Sequence, residues 1–190
     1  MEQRFAPAIG GAIELRVSDI SQLFDTLDPY PFPERDLDKD AEEFIVGWAR
    51  ELPHGKPLKI VVHLPEAELN KQDGNSIRAA INRYFDYRVE VIGRDLKELF
   101  RIGRLSLVIG LTVLAVALAV TQLVGGRLNP TPLARFLEES LIIVAWVANW
   151  RPIEIFLYEW WPLVRRRNLY RRLASAPVEL KGDRNSAGVA

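Results

Sequence analysis

Residues 105–124, LSLVIGLTVLAVALAVTQLV, decide the fold. They form a run of twenty without a charge, and a helix of that length rises about 30 Å, the hydrocarbon thickness of a bilayer. Ser106, Gly110, Thr112, Thr121 and Gln122 are all tolerated in a membrane helix. A core helix of a soluble protein is usually shorter and keeps a polar stripe. The run therefore reads as a membrane crossing.

The flanks orient it. Arg94, Lys97, Arg101 and Arg104 precede the run, whereas residues 125–135, GGRLNPTPLAR, hold only Arg127 and Arg135. The next apolar stretch, residues 136–163, ends in Arg165, Arg166, Arg167, Arg171 and Arg172. Lys/Arg excess marks the cytoplasmic side. A two-pass hairpin of about residues 105–124 and 137–158 is expected, with both chain ends in the cytoplasm and the Gly-Asn-Pro turn outside. The five terminal arginines read as an anchor on anionic lipid headgroups, each worth about 1 kcal/mol near the surface.

The second crossing admits two arrangements. Residues 141–150 are apolar apart from Asn149, but Arg151, Pro152 and Glu154 then interrupt the stretch. Pro152 lacks a backbone donor and disfavours helical geometry at Arg151. Either one kinked helix runs to about residue 158, or the crossing ends near Trp150 and an interfacial helix begins. Four of the five tryptophans (146, 150, 160 and 161) lie here, where amphipathic rings meet headgroups. Arg151 and Glu154 are the polar residues to watch, inside the membrane or at its interface, since ionisable groups there are costly.

Residues 1–93 carry 17 acidic and 11 basic side chains, whereas residues 94–190 carry 8 and 14, so the zero net charge of the whole hides two opposite halves. The first residues lack the apolar core of a secretory leader, so this half is expected to stay in the cytoplasm. Residues 12–18, AIELRVS, alternate as a half-buried strand, and residues 58–64, LKIVVHL, are β-branched and bounded by prolines. Between them, Asp40 followed by Glu43 fits a capping box, and Phe44, Ile45, Trp48, Ala49 and Leu52 form an apolar stripe. A second helix is expected from near Ser76, with Ile77, Ile81, Tyr84 and Phe85 on one face. It either continues through residues 94–104 as a stalk into the membrane run or breaks at residues 87–92, YRVEVI, to give a third strand. The result is a small α+β, βαβα domain over residues 1–93, whose sheet edge invites self-association. Residues 164–190 are expected to be a basic juxtamembrane segment and then a disordered tail.

Composition excludes several functions. With no Cys there is no disulfide frame, thiolate metal site or redox pair. Asp36, Asp38 and Asp40 are spaced like the start of a calcium loop, but Ala41 and Gly47 stand where Gly and Glu are required. His54 and His63 share no metal-ligand spacing. Ser18, Ser21 and Ser76 lack a nucleophile elbow. Glu42/Glu43 and Glu138/Glu139 are helix neighbours that do not face each other. No catalytic residue, metal or cofactor is expected, and the basic run beside a membrane segment points to lipid, not nucleic acid.

Residues 23–45, LFDTLDPYPFPERDLDKDAEEFI, and 148–180, ANWRPIEIFLYEWWPLVRRRNLYRRLASAPVEL, resemble a group of small uncharacterised bacterial inner-membrane proteins. The resemblance implies a cytoplasmic α+β domain followed by a C-terminal two-helix membrane hairpin. It implies no catalytic residue and no ligand. Residues 27–40, held extended by Pro29, Pro31 and Pro33, then offer Asp28, Tyr30, Phe32, Arg35 and Asp36 as a surface for a partner. The expected role is a non-enzymatic adaptor or accessory subunit; an oligomeric channel or transporter component built from the hairpin is the alternative.

Overall fold

The computed structural model describes residues 11–26, 28, 34–53, 57–69, 73–125 and 132–183. It is an α+β protein with three parallel strands, associated helices and two long helices packed together. The elements are β1 (Ala12–Arg16), a 3-10 turn (Ile20–Leu23), α1 (Lys39–Glu51), β2 (Lys59–Pro65), a short α2 (Glu66–Leu69) and α3 (Gly74–Gly125). After them come α4 (Pro132–Glu154), a π turn (Ile155–Glu159), α5 (Trp160–Ala174) and β3 (Val178–Asp183). The chain divides into two compact units, one from Met1–Val91 with Arg166–Ala190 and the other Ile92–Arg165.

In the first unit the strand order is β1-β2-β3, all parallel, with Ile13 opposite Ile60 and Val62 opposite Leu180. β1 alternates as expected, burying Ile13 and Leu15. β2 is central and buries Ile60, Val61, Val62 and Leu64, the continuous apolar run of a strand covered on both faces. Gly11, in the turn just before β1, has φ +93°, and a Cβ there would meet the Pro57 carbonyl at 2.8 Å, so only glycine fits. Ile45, Val46 and Ala49 of α1, Ile77, Ile81 and Phe85 of α3, and Tyr170 and Leu173 of α5 complete the core.

Several expectations change here, and the choice left open at residues 87–92 is decided for the continuing helix. The described part of the tail is a strand: Val178–Asp183 is β3, paired with β2, and Val178 is buried. The α+β unit is therefore not complete at residue 93, because it takes in α5's end and β3. Residues 87–92 form no strand, since α3 runs unbroken through them. The cap of α1 is Asp38, whose carboxylate accepts from the Asp40 and Ala41 amides, and not Asp40. The apolar stripe accordingly centres on Ile45, Val46 and Ala49, with Phe44, Trp48 and Leu52 only half-buried.

The second unit is a helical pair. Two helices are long and apolar enough to cross a membrane, and their apolar windows are largely exposed. Gly103, Gly110 and Ala117 recur every seven residues along α3 and form its packing seam. A Cβ on Gly110 would lie 2.7 Å from Asn149 Oδ1 and 3.0 Å from the Ala148 carbonyl; one on Gly103 would lie 2.9 Å from Ile155. Small residues allow this approach. The Asn149 amide clasps the pair, donating to the Gly110 carbonyl at 3.1 Å and to the Ala145 carbonyl at 2.9 Å.

Pro152 does not break the helix. It withholds an amide from the Ala148 carbonyl one turn earlier, the group that Gly110 lets α3 approach, and the backbone then widens into the π turn and continues as α5. The helix is therefore continuous from α4 through the π turn into α5.

Candidate functional site

The first unit carries a cleft of about 420 Å³ lined by Asp28, Glu34, Arg35, Asp36, Ala80, Arg83, Tyr84 and Tyr87. Its extended wall is shaped by a reversal of the chain. Phe24 and Leu37, both buried, form an antiparallel bridge. The Asp25 amide donates to the Asp36 carbonyl at 2.9 Å and the Asp38 amide to the Leu23 carbonyl at 2.8 Å. Asp28 Oδ2 then accepts the Asp36 amide at 2.8 Å. The other wall is one face of α3, since Ala80, Arg83, Tyr84 and Tyr87 stand at i, i+3, i+4 and i+7.

Three of the five residues singled out in the sequence, Asp28, Arg35 and Asp36, meet at this cleft. Tyr30 and Phe32 lie outside the described residues, as does His54. Burial raises the Asp36 carboxyl above its ordinary value, and Asp28, Asp25 and Glu42 add to the rise while Arg88 opposes it. Arg83 is held to Glu34 at 3.6 Å, an exposed pair.

Beside the cleft lies a polar cluster that sequence reasoning missed. Glu42 of α1 accepts the Tyr84 hydroxyl at 2.6 Å, the Tyr170 hydroxyl at 2.5 Å and Arg88 Nε at 3.2 Å. The Arg88 guanidinium also sits 5.8 Å from the Tyr170 ring centre. Burial alone would raise the Glu42 carboxyl, but the hydrogen bonds from Tyr170 and Tyr84 and the Arg88 charge outweigh it and hold it below the ordinary value. Burial, and then the bond to Glu42, push the Tyr84 phenol up, so it stays a donor. The available signal was a carboxylate one turn before Ile45 and Val46, on the apolar face of α1. Glu42 thus accepts from three donors on two other helices, and the cluster is an assembled clamp.

A second cleft of about 500 Å³ lies by the end of β1 and the start of α1, lined by Arg16, Ser21, Gln22, Asp38 and Phe44 among others. Two of its polar groups are engaged: Asp38 caps α1, and Gln22 bonds both Ser18 Oγ and the Ser18 amide. His63 pairs with Glu14 across β1 and β2 at 3.2 Å. Among the described residues no group of three or more His, Cys, Asp or Glu could hold a metal ion.

In the helical unit, Arg151 bonds Glu154 at 3.0 Å and, across the π turn, both carboxylate oxygens of Glu159. Glu159 was not anticipated. The pairings of Gly110 with Asn149 and Gly103 with Ile155 put Arg151 level with about residue 108 of α3. That is roughly 5 Å inside the apolar run, near its basic flank. The basic residues divide: Arg165 lies over the Trp161 ring at 5.9 Å, and Arg166 over Tyr170 at 5.6 Å. Arg171 is exposed, Arg167 half-buried, and Arg172 reaches the Pro53 carbonyl at 3.5 Å.

Comparison of the chain with family models, with curated proteins and with solved structures finds no match.

Proposed function

We propose that this chain is an integral protein of the bacterial inner membrane, two-pass, with both ends cytoplasmic. It presents the α+β unit to the cytoplasm as a non-enzymatic adaptor or accessory subunit, and the cleft beside α3 receives its protein partner. One observation carries the reading. The hairpin is inserted between β2 and β3, two neighbouring strands of one sheet. A sheet cannot be divided by a bilayer, so the intervening crossings must be even in number and both ends must share a side. The arginine distribution supports the cytoplasmic side.

The cleft supports binding over chemistry, since Arg83 on its wall is paired with Glu34 and the neighbouring Glu42 is bonded by Tyr84, Tyr170 and Arg88. Arg151 sits near one interface with two carboxylates on it, an arrangement that ends a crossing and supports anchoring over conduction. Arg165 and Arg171 remain available to anionic headgroups.

The test is purification from native membranes in mild detergent, with mass determination. A distinct stoichiometric partner is expected. A homo-oligomer of fixed size with nothing bound overturns the adaptor reading and favours the channel, which then requires Arg151→Ala to alter ion flux in liposomes.

A further inference from the structure

All three strands run parallel, and a parallel sheet normally carries helices on both faces. Among the described residues, α1, α3 and α5 lie on one face only. Both crossovers step the same way, β1 to β2 and β2 to β3, so right-handed connections put these helices on a single side. The bonds of Glu42 to Tyr84 and Tyr170 agree, and Ile13, Leu15, Ile60, Val62 and Leu64 are buried beneath them.

The opposite face is charged and ordered in rows. Glu14, Val61 and Glu179 stand level across β1, β2 and β3; two residues further on, Arg16, His63 and Lys181 do the same. Val61 is buried between two diagonal pairs, Lys59 with Glu179 at 2.6 Å and His63 with Glu14 at 3.2 Å. Arg16 and Lys181 are exposed, and Lys181 meets no carboxylate within ion-pair distance among the described residues. A row of Arg, His and Lys on three neighbouring strands is an unfavourable order within one sheet. It becomes favourable against a row of acids.

We propose that this face pairs with the same face of a second copy, on a two-fold axis lying across the strands between the two rows. That axis sets Glu14 against the second copy's Arg16 and Glu179 against the second copy's Lys181, each pairing occurring twice. The alternative axes set like against like. Through either row they stack acid on acid or base on base; along the strands they set Glu14 against Glu179 and Arg16 against Lys181. The complement of this face is therefore the face itself. The patch measures about 15 by 17 Å, less than a dimer free in dilute solution needs. Anchoring both copies in one membrane supplies the effective concentration. α1, α3 and α5 stay outside the pair, so the cleft beside α3 remains open, and the pairing goes beyond the adaptor reading without resting on it.

The chain has no Cys, so Glu51→Cys, exposed on α1, gives a single labelling site. Full-length protein carrying donor or acceptor dye is reconstituted together in phosphatidylcholine liposomes at low density, and energy transfer is compared with the level of random encounter. The parent should exceed that level, and by less at high salt. Lys181→Glu and Glu179→Lys should each lose the excess, because each sets like charges together. Donor Lys181→Glu mixed with acceptor Glu179→Lys should regain it, since every facing pair is then opposite again. Arg16→Glu and Glu14→Lys should behave in the same way. Regain in a mixture also shows that both variants are folded.

Random-level transfer in the parent, unchanged transfer in the single variants, or no regain in the mixtures overturns the proposal. A response confined to Glu179 and Lys181 would place the contact at the β3 edge and overturns it as well. The adaptor reading is tested apart from this, by whether a partner co-purifies from native membranes with the parent and with Lys181→Glu.

Discussion

The Tyr170 hydroxyl donates to Glu42 Oε1 at 2.5 Å although the two residues are 128 positions apart. Tyr84, from α3, donates to the other oxygen of the same carboxylate. α3 and α5 are the two helices through which the chain leaves the α+β unit and returns to it. One carboxylate on α1 thus ties α3 to α5 inside the α+β unit.

Removing that carboxylate strands three donors. Glu42→Ala leaves both phenols and the Arg88 guanidinium without their acceptor in a half-buried site, which should cost about 2–3 kcal/mol. Tyr170→Phe removes one bond and should cost about 1 kcal/mol. Urea unfolding in detergent checks both, and a Glu42→Ala loss under about 0.5 kcal/mol would show that the clamp carries no stability.

The same site sets a pH dependence. Glu42 is held below its ordinary 4.5 in the folded protein, so its ionised form stabilises the fold above that value. The contribution falls away as pH drops from about 4.5 through the lowered folded value. Unfolding curves between neutral pH and about pH 3 should therefore show an acid loss in the wild type that is smaller in Glu42→Gln. Equal slopes refute it.

Much of this was legible in the sequence because period and composition agreed. β2, the membrane-length run and the α3 apolar face each carry a continuous or strictly repeated apolar pattern. β3 was not legible. It lies in a polar tail, VELKGD has only two apolar residues, and its partner β2 is separated from it by the whole hairpin. The cap of α1 was misplaced by two residues because Asp36, Asp38 and Asp40 alternate, and only geometry says which one faces the free amides. Asp28, Arg35 and Asp36 were identified, but not the wall opposite them, since Arg83 and Tyr87 look like the solvated side of a helix. Glu42 looked like one of two adjacent acids because nothing local links it to Tyr84 or Tyr170.

Ending the chain at residue 177 should leave β2 without a neighbour on one edge and expose Ile60, Val62 and Leu64. The expected outcome is rapid amide exchange across residues 59–65 and tryptic cleavage at Lys59, with the hairpin still inserted in the membrane. Unchanged protection of β2 would mean that β3 adds nothing to the sheet.

Gly110 can carry no side chain without moving backbone, because its neighbours include the Ala148 carbonyl at 3.0 Å and not just the end of a flexible group. Gly110→Leu should part α3 from α4, break the Asn149 clasp and cost about 1–3 kcal/mol. Disulfide trapping between cysteines introduced at Ala117 and Ala145, both buried in the helical pair, reads the separation directly. Trapping should be efficient in the parent and lost in the variant, whereas equal trapping in both sinks the seam as described.

Asp36 should show the opposite sign from Glu42. Its carboxyl is raised by burial and by its acidic neighbours, so ionisation opposes folding and its stabilising contribution is lost as pH rises past the ordinary carboxylate range. Asp36→Asn should therefore leave the protein slightly more stable at neutral pH, by under about 1 kcal/mol because the group is exposed. If the cleft receives the protein partner, the same substitution weakens binding. Thermal unfolding and partner retention measured on one preparation test the pairing: a midpoint that rises while retention falls is the mark of a carboxylate kept for a ligand. A midpoint that falls with retention would mark Asp36 as a structural residue instead.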